Sequence, residues 1–116
     1  MMPSLLLAAA MFAVPDGAAI YERCLACHTL AHDAVGPRHC GVVGRRAGSV
    51  PGYAYSPSMR NSGLTWDEAT LDRFLAAPTT VVPGTLMTYA GVPDPAERHA
   101  LIAWLRQAAG DPAVCH

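Results

Sequence analysis

The sequence predicts a small all-α fold, in which helices and Gly/Pro-rich loops wrap around a rigid centre. Three observations lead there. Three stretches combine helix-starting residues with apolar positions spaced three and four apart. A long Gly- and Pro-rich stretch from Gly36 to Gly63 separates the first helix from the second, and a loop of that length is acceptable only if it encloses something rigid. The 116 residues suffice for one domain, and a fold this small often depends on a cofactor or a cross-link.

The first helix is expected from about Asp16 to Cys27, with Ile20 and Tyr21 on its apolar side. The second is expected to start at Thr65, where Thr65-Trp66-Asp67-Glu68 spells a capping box. Its apolar face is Leu71, Phe74 and Leu75, and Pro78 ends it. The third is expected to start at Asp94, since Asp94-Pro95-Ala96-Glu97 joins a capping box to a proline at the first helical position. Leu101, Trp104, Leu105 and Ala108 form its buried stripe, and Gly110 stops it. Within the long loop, Pro57 to Ser62 reads as a short helical turn capped by Ser56.

The N-terminal run Leu5 to Val14 is apolar but too short for a membrane span, which takes about 20 residues. Residues 1–13 read as a secretory signal with small residues Ala8-Ala9-Ala10 for cleavage, and residues 14–116 as the folded domain. Export implies an oxidising, periplasmic location and no membrane span in the mature protein. The formal net charge of -1 argues against a nucleic-acid partner, which would call for a basic stripe.

The chemistry lies in Cys24-Leu25-Ala26-Cys27-His28, a C-x-x-C-H haem-attachment pattern. Two thiols about one helical turn apart can reach the two vinyl groups of a haem, and the adjacent histidine then falls below the iron. A thioredoxin-like C-x-x-C would need a βαβ pattern, which the sequence lacks. Half of a zinc site would need a further ligand pair, and only His39 and Cys40 lie nearby. A second axial ligand must come from downstream. Met59, Met87, His32, His39, His99 and His116 are the candidates, and the turn Pro83-Gly84-Thr85-Leu86-Met87 offers the best context for holding a thioether rigidly.

With these motifs in place the chain resembles the class I cytochromes c, close to the mitochondrial and bacterial c2 type. The likeness runs from Gly17 to Gln107 and includes Cys24 to His28, Gly36-Pro37, Gly44-Arg45, Pro51 to Ser56, Gly63 to Trp66, Pro83 to Met87 and Ala90-Gly91. The resemblance implies one covalent haem c per chain, with His28 and Met87 as iron ligands. It implies that the Pro37 carbonyl accepts the ring N–H of His28, and that Arg45, Tyr55 and Trp66 hydrogen-bond or neutralise a buried haem propionate, with Tyr53 alongside. Tyr89 would lie by the exposed haem edge, and Gly17 and Tyr21 would pack against Leu101 and Trp104.

The function implied is that of a monomeric single-haem electron carrier without catalysis of its own. It would shuttle one electron between respiratory or photosynthetic redox partners: a membrane oxidoreductase, a dehydrogenase, or a terminal oxidase. A dedicated subunit of one larger complex is compatible with the low charge. A different class, a haem-based ligand sensor or weak peroxidase, requires Met87 to be absent from the iron.

The sequence departs from the family pattern in several places. Leu86 and Thr79-Thr80 stand where lysines are common, so docking should rely on an apolar patch and depend little on salt. Phe74 and Met59 replace hydrogen-bonding residues on the Met side of the haem, which predicts a drier pocket. His39 replaces an apolar residue and is expected to turn outward; His32, His99 and His116 are expected on the surface. Haem attachment would leave Cys40 and Cys115, and in the family fold the end of the last helix lies near the loop after the haem histidine. An intramolecular disulfide is expected between them.

Overall fold

The computed structural model describes residues 2–4 and 13–116. Most of the expected signal segment, 1–13, lies outside the described residues. The described chain is helical: α1 Gly17–Tyr21, continued by a 3-10 turn Glu22–Cys24, then α2 Pro57–Arg60, α3 Glu68–Ala76, α4 Pro78–Val81 and α5 Pro95–Ala108. Among the described residues the only sheet-like pairing is an isolated antiparallel bridge between Arg46 and Thr65. No described helix is long and apolar enough to cross a membrane.

The first helix is shorter than its apolar pattern suggests. Asp16 caps it by accepting the Ala18 N–H at 3.0 Å, and the α-helix gives way after Tyr21 to the tighter turn that leads into Cys24. At α3 the cap is Asp67 rather than the expected Thr65. The Asp67 carboxylate accepts the Thr70 N–H at 2.8 Å, while Thr65 stands opposite Arg46 in the bridge and its carbonyl accepts the Asp67 N–H at 2.8 Å. Burial is slight at Asp67, and the bond to Thr70 holds its pKa below the usual value. Pro78 does end α3, and it then starts α4 as its first residue.

Asp94 caps α5 as expected, with Pro95 first in the helix. The capping box is incomplete, because Glu97 reaches away to Arg23 at 2.6 Å. Arg98 does more than its exposed neighbours. It donates to Asp72 of α3 at 2.8 Å and to the carbonyls of Val92 and Pro93, which fastens the segment entering α5.

The core forms where α5 crosses α1 and α3. Leu101 is fully buried, and Ile20, Leu71, Leu75 and Leu105 close around it. Removing Leu101 from water alone contributes about 2 kcal/mol. Gly17 makes the α1–α5 crossing possible: a Cβ there would overlap the Ala100 carbonyl and the Trp104 side chain. Tyr21 lies against Trp104 with ring centroids 4.5 Å apart. Beyond α3, Gly91 takes φ +110° with its Cα against the Ala76 and Leu75 carbonyls, a position closed to other residues.

Candidate functional site

The turn after α1 gathers the C-x-x-C-H residues. The Cys27 and His28 N–H groups both donate to the Cys24 carbonyl, at 3.1 and 2.9 Å, so both thiols and the imidazole issue from one tight turn. Both cysteines are free of disulfides, Cys24 half-buried and Cys27 exposed. Burial raises the Cys24 thiol pKa, with Arg23 opposing.

His28 Nδ1–H donates to the Pro37 carbonyl at 2.8 Å. That bond leaves Nε2 as the ring's free nitrogen, the tautomer a metal needs. Burial lowers the His28 pKa, and the bond to Pro37 only partly opposes it. Gly36 lies against the ring so closely that a Cβ would overlap Cε1, Nδ1 and Nε2.

His28 opens on a cavity of about 330 Å³. The long loop forms one wall with Arg45, Tyr53, Tyr55 and Met59; α3 contributes Leu71 and Phe74; the loop before α5 contributes Met87 and Tyr89. Trp66 packs on Phe74 with centroids 4.8 Å apart. Every site residue named from the sequence around the cofactor (Cys24, Cys27, His28, Pro37, Arg45, Tyr53, Tyr55, Trp66 and Met87) borders this one space. The mouth carries Leu86, which is exposed, and Tyr89, which is partly exposed. Phe74 and Met59 are buried and bring no hydrogen-bonding group to their side of the cavity.

The polar end of the cavity is built by the loop itself. The Arg45 guanidinium donates to the Cys40 carbonyl at 2.9 Å and the Arg38 carbonyl at 3.1 Å. Its Nε is buried without a partner among the described residues. A buried, unpaired N–H on a cation costs free energy unless an anion meets it. Burial holds the Arg45 pKa below its usual value, which adds to the demand for a negative partner. The two tyrosines differ from the simple expectation in that each is already engaged. Tyr53 O–H donates to the Val35 carbonyl at 2.5 Å, and the Tyr55 hydroxyl accepts the Val50 N–H at 3.1 Å while its own proton stays free to donate.

His39 is corrected by the structure. It is not turned outward: its ring stacks on His28 with centroids 4.1 Å apart, and its Nδ1 lies 2.8 Å from the Tyr21 hydroxyl. The His39 N–H is anchored to the Thr29 carbonyl and the Cys40 N–H to the Leu30 carbonyl, and Tyr21 and His28 then hold the ring inside, against the cavity. Burial pushes its pKa down to about 3, with His28 and Arg45 adding to the effect, so the ring is neutral. His32, His99 and His116 are exposed. A disulfide joins Cys40 to Cys115, with Cα atoms 5.3 Å apart, and so ties the tail after α5 to the loop carrying Pro37 and Arg45.

The fold and site together define a protein built around one covalently attached haem. A family model described as Cytochrome c matches residues 14–109. Cytochrome c2 of Rhodomicrobium vannielii is 49% identical over 92 residues, covering 77% of this chain and 74% of that protein. Cytochrome c2 of Rhodoblastus acidophilus is 46% identical over 101 residues, covering 84% of this chain and 94% of that one. The solved structure of cytochrome cH from Methylobacterium extorquens superimposes with a TM-score of 0.76 at 44% identity, covering 78% of this chain and 93% of that chain. The chain belongs to the cytochrome c family. It is a haem c electron carrier, not an enzyme. The residues present fit that cofactor, because the orphaned Arg45 Nε meets the need of a carboxylate-bearing group and the thiol turn supplies two attachment points.

Proposed function

We propose that the mature protein, residues 14–116 after loss of a secretory signal 1–13, is a periplasmic monomeric carrier that passes one electron at a time between redox-partner proteins. Cys24 and Cys27 would hold haem c, and His28 and Met87 would ligate its iron. The observation that carries the reading is the convergence of the His28 imidazole, fixed by Pro37, and the Met87 side chain on one cavity.

Haem c supplies a metal centre that gains and loses one electron. The chain's residues do the rest. His28 presents a neutral nitrogen because Pro37 holds the other proton. Arg45, with its Nε unpartnered, would hold a carboxylate of the cofactor inside the fold, and Tyr53, Tyr55 and Trp66 line the same cavity. Phe74, Leu71 and Met59 exclude water, which keeps reorganisation on electron transfer small. The exposed apolar Leu86 and the Tyr89 ring stand at the mouth and would meet a membrane oxidoreductase, a dehydrogenase or a terminal oxidase through a weakly charged contact.

Optical spectra of the protein matured with a haem-attachment system test this. The expected result is the weak far-red band of a sulfur–ferric haem bond and a low-spin reduced spectrum indifferent to CO. Met87→Ala should lose that band and bind CO. A wild-type spectrum that is high-spin and shifts with CO would instead indicate a ligand sensor or weak peroxidase.

A further inference from the structure

We propose that His39 is a positioning residue for the ligand His28, its ring held by the Tyr21 hydroxyl so that it fixes the plane in which the His28 imidazole stands. The inference rests on reading His28 as an iron ligand. Three contacts bound that imidazole. Pro37 accepts from Nδ1 at 2.8 Å, Gly36 closes on the Cε1 edge, and His39 covers a ring face at 4.1 Å with an interplanar angle of 22°. One hydrogen bond to one ring atom still allows the ring to rock about that bond. A flat partner against its face removes that freedom.

His39 is itself held at three points. Its N–H donates to the Thr29 carbonyl at 3.2 Å and its carbonyl accepts the Val42 N–H at 2.8 Å. Its Nδ1 meets the Tyr21 hydroxyl at 2.8 Å. The phenol has no other acceptor among the described residues, so it donates and His39 carries its proton on Nε2. Tyr21 is buried and pinned in turn against Trp104 of α5. A chain of contacts therefore runs from the α1–α5 crossing through Tyr21 and His39 to His28. An aliphatic side chain at position 39 could fill the same space, but it could not accept from Tyr21 and would have no fixed ring plane.

The test uses the holoprotein and its His39→Leu, His39→Gln, Tyr21→Phe and doubly substituted His39→Leu/Tyr21→Phe variants. Two readouts are taken: the spread of the haem-methyl proton shifts in the ferric state, which follows the axial imidazole plane, and the reduction potential. His39→Leu should redistribute the methyl shifts and move the potential. Tyr21→Phe, which removes only a hydroxyl, should produce a smaller change in the same direction. His39→Gln, which keeps a planar acceptor, should recover part of the wild-type pattern. The double variant should match His39→Leu, because Tyr21 acts through His39. Unchanged methyl shifts in His39→Leu would overturn the proposal, as would strictly additive effects. Failure of the ligand reading itself would show separately, as a wild-type spectrum that is not six-coordinate.

Discussion

Replacing Cys40 and Cys115 together by serine tests how the C-terminal tail contributes to the fold. The bridge spans a sequence separation of 75, and its Cα distance of 5.3 Å lies within the ordinary range for disulfides. In the chain-entropy model, closing a loop of that length lowers the entropy of the unfolded chain by an amount worth about 4.5 kcal/mol at 25 °C. With a guanidinium m-value of roughly 4 kcal/mol/M for a domain of this size, the unfolding midpoint should fall by about 1 M. After the buried Ala109, the residues 110–114 leading to Cys115 are exposed and add little of their own. The haem-side loop keeps a second tie to α5 through the Gly41 N–H donating to the Ala109 carbonyl at 2.9 Å. The reduction potential should therefore stay near that of the wild type while stability drops. The assay is guanidinium unfolding of the oxidised holoprotein, followed by far-UV circular dichroism, with thiol alkylation and mass spectrometry beforehand. A midpoint within about 0.2 M of wild type would refute the entropic reasoning. Two alkylatable thiols in the unreduced protein would refute the bridge itself.

Arg45→Met removes the cation whose Nε is buried without a partner, and the potential measured by redox titration should fall by about 1 kcal/mol, on the order of 40 mV for one electron. An unchanged potential would mean that Arg45 is neutralised by its surroundings. Gly17→Ala forces a Cβ onto the Ala100 carbonyl and Trp104, and should cost about 1–3 kcal/mol in denaturant unfolding. Burial is the main cause that raises the Tyr21 pKa to about 12, against an ordinary value of 10.0. Since the folded value is the higher one, the stability due to the neutral phenol is intact below pH 10 and is lost as pH rises through about 12. Tyr21→Phe should lack that alkaline loss in unfolding curves taken from pH 9 upward.

What the sequence by itself determined is local and patterned. The C-x-x-C-H turn needs only consecutive residues, and its tight hydrogen bonding to the Cys24 carbonyl follows from that contiguity. The α3 and α5 stripes follow from the 3.6-residue period, Pro78 and Pro95 mark boundaries through their backbone, and Asp94 does so through its capping carboxylate. The ordered series of loop motifs pointed to Arg45, Tyr55, Trp66 and Met87, which the fold gathers at one cavity.

Only the tertiary structure decided what depends on distant partners. Asp67 displaced Thr65 as a cap because Leu64 and Trp66, on either side of Thr65, are bonded to Ala47 and Arg45, which keeps Thr65 extended and outside the helix. Glu97 left its capping box for Arg23, which α1 brings to it from the other end of the chain. Tyr53 found its acceptor in the Val35 carbonyl, a group present at every residue and therefore invisible as a sequence signal. The inward turn of His39 had no local signal either. A residue in an aperiodic loop has no face assigned by a repeat, so its direction is set by what packs around it, here Tyr21 on one side and His28 on the other.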